Sequence, residues 1–128
     1  MKKNIKFLTM SVLVFVASLA CVVSVAATSS RAALGHGDSI TLEEQNVGTP
    51  VTIIRTDSTT SSANIRTTIQ RKGLLGYSKA GTKDLTVKAD LIYTITWNGI
   101  SGTKDTKATW KNTETSVGYV VIGEFELK

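Results

Sequence analysis

The hydrophobic pattern changes character once along the chain. Phe7 to Val25 (FLTMSVLVFVASLACVVSV) is a continuous run without a charge, preceded by Lys2, Lys3 and Lys6. From Ser39 onward apolar residues alternate with polar ones, and no stretch keeps the three-to-four-residue spacing of an amphipathic helix. The longest alternation runs from Leu85 to Trp97, where Leu85, Val87, Ala89, Leu91, Tyr93, Ile95 and Trp97 share one parity. It predicts a half-buried antiparallel strand, long enough to need a bend or bulge. Gly118 to Leu127 repeats the pattern, with Tyr119, Val121, Phe125 and Leu127 on one face and Val120 and Ile122 making its first half apolar on both. Ile40-Leu42, Val51 to Arg55, Ala63-Ile65-Thr67-Ile69 and Ala108-Trp110 supply four shorter strands.

Turn chemistry separates these runs. Asn98-Gly99 suits a tight hairpin, and Gly73 and Gly76 bracket Leu74-Leu75 in a turn. Asp57 to Ser62, Gly81 to Asp84 and Gly102 to Asp105 read as polar loops, and Pro50, the single proline, starts a strand. Abundant threonine with recurring valine and isoleucine strengthens the strand assignment. The expected fold is all-β: a small antiparallel β-sandwich or open barrel of about six to seven strands, preceded by a helical signal peptide.

The basic start, the uncharged core and the small residues Ser24-Val25-Ala26-Ala27 have the order of a secretory signal. Residues 1–26 are therefore expected to be a signal peptide cleaved after Ala26 or Ala27, residues 27–38 a flexible leader, and residues 39–128 a single β-domain. The expected location is secreted and extracellular. The alternative is a protein anchored at the cell-surface membrane, because 19 apolar residues would just cross a hydrocarbon core of about 30 Å. Cys21, the one cysteine, raises lipidation as a second route to anchoring. Its context is poor for that, since Leu19 stands two rather than three residues before it. Cleavage would leave a mature chain without a thiol, so disulfides, thiolate catalysis and cysteine-held metals are not expected.

The formal charge is +5, from 15 basic and 10 acidic residues. Removing Lys2, Lys3 and Lys6 leaves 12 basic residues against the same 10 acidic ones, which argues against a nucleic-acid binder. Catalytic chemistry is equally sparse. His36, the one histidine, lies between two glycines in the expected leader, where a base would lack fixed geometry. No Gly-x-Ser-x-Gly elbow, phosphate-binding loop or calcium loop is present. Glu124 and Glu126 share a strand face but read as an ordinary wet edge. No enzyme activity, cofactor or metal is expected.

Aromatic side chains on a sheet are the remaining recognition device. Tyr93 and Trp97 fall in phase with the buried face. Trp110, flanked by Lys107, Thr109 and Lys111, is expected to be exposed, and with Tyr77, Lys107 and Lys111 forms the candidate binding set. A basic cluster of Arg66, Arg71, Lys72 and Lys79 could touch anionic wall polymers or lipid headgroups. The leading functional reading is a small secreted, non-catalytic β-domain that binds a cell-wall polymer or a surface protein. Nucleic acid is not expected as a partner, and the membrane only through the signal segment or a lipid anchor. One alternative is a membrane-active, bacteriocin-like toxin in which Lys83 to Trp97 and Lys104 to Trp110 form an inserting hairpin. The other is a secreted protease inhibitor presenting Gly73 to Gly81. The lysine-led signal and thiol-free, threonine-rich strands give the compositional look of a small exported protein of a Gram-positive bacterium.

Overall fold

A computed structural model describes residues 28–128. The proposed signal peptide and Cys21 lie outside the described residues. Eight strands follow one another: β1 (Thr28–Leu34), β2 (Ser39–Val47), β3 (Val51–Thr56), β4 (Ala63–Gly73), β5 (Gly76–Val87), β6 (Ile92–Thr96), β7 (Lys104–Asn112) and β8 (Val121–Leu127). They form two four-stranded sheets, ordered β1-β8-β3-β6 and β2-β7-β4-β5, with every pairing antiparallel. The expected small β-sandwich is therefore the observed architecture.

The alternation of side chains on each strand produces the core. β4 turns Ala63, Ile65, Thr67, Ile69 and Arg71 inward, and β8 turns Val121, Gly123, Phe125 and Leu127 inward. Ile54, Val87, Ile95, Trp97, Ala108 and Trp110 fill the space between the sheets. Trp110 meets Phe125 with ring centroids 5.4 Å apart, a tilted aromatic pair. Gly123 is required by close approach: a Cβ there would stand 2.0 Å from the carbonyl oxygen of Arg55.

Four expectations change. The segment read as a flexible leader is not one, because Thr28 to Leu34 is a full edge strand whose seven residues pair with Leu127 back to Val121. Its inward residues Thr28, Ser30 and Ala32 are too small or polar to stand out as an apolar face. Gly35 to Asp38 is then a turn, closed by the Asp38 N–H on the Gly35 carbonyl at 3.0 Å, and His36 is exposed on it. The run Leu85 to Trp97 is not one strand. Asp90 adopts a left-handed φ of 60°, and the chain leaves one sheet as β5 and enters the other as β6 with the same inward parity. Gly81 to Asp84 is strand, not loop, and Gly81 lies under the Trp97 ring, where a Cβ would stand only 3.0 Å from it. Asn98-Gly99 does occupy a turn, closed by the Ile100 N–H on the Trp97 carbonyl at 3.0 Å. That turn begins a crossover from β6 to β7 in the opposite sheet and does not close a hairpin.

Candidate functional site: the outer face of the second sheet

The parity that buries Ile65, Ile69, Ala108 and Trp110 sends their neighbours to the solvent side of the β2-β7-β4-β5 sheet. The resulting outer face is polar across all four strands. Thr41, Thr109, Thr68 and Thr82 stand in register as one row perpendicular to the strands. The Thr41 and Thr109 hydroxyls are 2.8 Å apart and those of Thr68 and Thr82 3.3 Å apart. The next row places Glu43, Lys107, Gln70 and Lys79 side by side. On the other side of the threonines lie Ser39, Lys111, Arg66 and Asp84, with Arg66 held to Asp84 at 2.9 Å.

Three of the four sequence-predicted site residues lie on this face, and two of them, Tyr77 and Lys107, are in contact. Tyr77 receives the Lys107 ammonium over its ring at 4.3 Å from the centroid, and its hydroxyl donates to Glu43. That hydrogen bond to a carboxylate favours the neutral phenol and holds its pKa up to about 12, with burial and the charges of Glu43 and Asp105 adding to the effect. Lys111 is on the same face of the same strand, about 13 Å from Lys107 at strand rise.

Trp110 is not part of the site. It is fully buried, with a relative exposure of 0%. The polar residues around it in sequence, Lys107, Thr109 and Lys111, belong to the opposite face. Its own parity is Thr106, Ala108, Trp110 and Asn112, all buried. Two of those four are polar, which disguised the face as wet. Asn112 is satisfied inside by donating to the carbonyls of Leu34 at 3.0 Å and Tyr119 at 2.8 Å.

No family model matches the chain, and no curated protein matches it. Solved structures resemble it at low identity. PirA is 12% identical with a TM-score of 0.47, covering 77% of this chain and 90% of that one. The CBM36-1 domain of a multidomain xylanase from the hindgut metagenome of Trinervitermes trinervoides is 19% identical, TM-score 0.47, covering 75% of each chain. A structure of infectious bursal disease virus, Gt strain, gives 16% identity and a TM-score of 0.39 over 79% of this chain and 31% of that one. None of these assigns a ligand or a reaction to this protein.

The two outer faces differ in how their charges are used. On the β1-β8-β3-β6 sheet, Arg55 holds Glu126 at 2.8 Å with Glu124 at 3.7 Å, and Arg31 pairs with Asp57. On the second sheet Lys72, Lys79, Lys107 and Lys111 form no ion pair among the described residues. Arg71, grouped with these cations by sequence, points inward instead and donates to the carbonyls of Val47, Gly48 and Gly102 at 3.1, 3.0 and 2.6 Å. The threonine row was missed because it depends on register. Each strand offers an outward threonine, but only pairing aligns them.

One other arrangement falls away. Lys83 to Trp97 and Lys104 to Trp110 do not form a hairpin, since β5 and β7 are separated by β4 and Ile92 to Trp97 belong with the other sheet. Gly73 to Gly81 is the end of the two-stranded β4-β5 hairpin.

Proposed function

We propose that this protein is an exported, non-catalytic binding domain whose ligand surface is the outer face of the second sheet, and whose partner is an anionic polymer of the cell envelope. One observation carries the reading: four lysines without carboxylate ion pairs stand on one hydroxyl-rich sheet face beside the single pair Arg66–Asp84, while Arg31 and Arg55 of the opposite sheet are both ion-paired. Strand spacing of about 4.8 Å repeats donors and acceptors across that face, a geometry suited to an extended repeating chain. Tyr77, fixed by Lys107 and Glu43, supplies one preset aromatic surface beside it.

The test is retention of the protein on purified anionic wall polymer compared with a neutral polysaccharide. Binding is expected to weaken as salt rises, because the cations are exposed and screenable. Lys107→Gln and Lys111→Gln each lower affinity by up to about 5-fold, the scale of an exposed ion pair. Equal retention on both matrices, or full retention by the double lysine variant, overturns the proposal.

A further inference from the structure

The β4-β5 hairpin ends in the least accommodated residues of the molecule. Leu74 and Leu75 have relative exposures of 105% and 104%, so neither side chain packs on anything in the domain. The turn is closed by strand pairing. Gly73 pairs with Gly76, whose φ of 109° suits glycine, and Arg71 ties the strand below to three carbonyls of the neighbouring connections. From Arg71, level with Thr106, the tip projects about 10 Å further at strand rise. Lys72 and Tyr77 pair one step behind the turn, Lys104 starts β7 at the same end, and Lys79 stands further back, level with Gln70. The nearby carboxylates Glu43, Glu44 and Asp105 accept hydrogen bonds from the Tyr77 hydroxyl, the Thr28 hydroxyl and the Asn46 N–H at 3.1 Å and keep their charge, and Glu43 and Glu44 stand behind the tip, level with Gln70 and Arg71.

We infer that this tip docks the domain on a lipid bilayer bearing anionic headgroups, with Leu74 and Leu75 entering the acyl boundary while Lys72, Lys79 and Lys104 meet the headgroups. An exposed apolar point with cations behind it has the polarity profile of an interfacial anchor. β1 begins at the same end of the domain: the Thr28 hydroxyl donates to the Glu43 carbonyl and the Glu44 carboxylate, two residues on the level of Lys107 and Thr106. The inference goes beyond polymer binding: it shares Lys72 and Lys79 with that face and adds Leu74, Leu75 and Lys104.

The experiment places a reporter at the tip of the full chain as Leu75→Trp, which disturbs no packing because the native side chain makes none. Trp97 and Trp110 are buried and give a constant background. With vesicles of phosphatidylcholine and phosphatidylglycerol, the emission is expected to shift to the blue and to be quenched by lipids brominated on the acyl chains. Lys72→Gln and Lys79→Gln in the reporter background reduce the lipid-bound fraction by about 5-fold each on these vesicles, and phosphatidylcholine alone gives a smaller shift. Emission that stays at the water-exposed wavelength with vesicles present overturns the inference. So does a blue shift that grows with protein concentration without lipid, which would assign the tip to a second copy of the chain. Lys111→Gln separates the two proposals, since it lowers polymer retention and leaves acyl-chain quenching unchanged.

Discussion

At the scale of single residues, the parity of a strand outweighs the chemistry of its sequence neighbours. Trp110 stands between Thr109 and Lys111, yet it fills the centre of the core against Phe125. Trp110→Ala is expected to cost about 3–5 kcal/mol in urea unfolding, the range for emptying a large aromatic site. Neither the Trp110 Nε1 nor the Thr67 Oγ1 across the register from it has a hydrogen-bond partner in the protein. Trp110→Phe removes one of those unpaired groups and is expected to lose clearly less stability than the alanine variant. Tyr77 supplies a pH-dependent check. Its raised pKa means the folded state favours the neutral phenol, so this contribution to stability is complete below the ordinary value near 10 and is lost as pH rises through about 12. Glu43→Gln removes the facing charge and is expected to bring the phenol's ultraviolet titration back toward 10.

At the scale of elements, the long alternations were legible and the boundaries between sheets were not. β4 and β8 could be read directly, since Ala63, Ile65 and Ile69, and Val121, Phe125 and Leu127, place apolar side chains in step with the two-residue period. β5 and β6 keep one inward parity through the turn at Asp90, so the switch of sheet leaves no break in the pattern. β1 was illegible for the opposite reason: Thr28, Ser30 and Ala32 carry too little apolar surface to declare a face. Its stability comes from the partner strand, because β8 would otherwise be a bare edge with a buried face. A chain starting at Ser39 is therefore expected to unfold at lower urea than one starting at Thr28 and to self-associate in size-exclusion chromatography. Equal midpoints and a monomeric profile for both would show that β1 is dispensable.

At the scale of the whole molecule, the two sheets divide the surface into unlike faces. One neutralises its charges through Arg31, Arg55 and their carboxylates, while the other leaves lysines free and ends in the leucine tip. The sequence by itself determined the fold class and most inward residues, because the two-residue period of a strand is written locally in side-chain polarity. Only the tertiary structure decided that Trp110 is core, that Arg71 is an internal tie, that Thr41, Thr109, Thr68 and Thr82 form one row, and that the tip shares an end with Thr28. Those facts depend on which strands pair and in what register. Register is set by burying the two inner faces against each other, a condition that no single strand carries in its own residues.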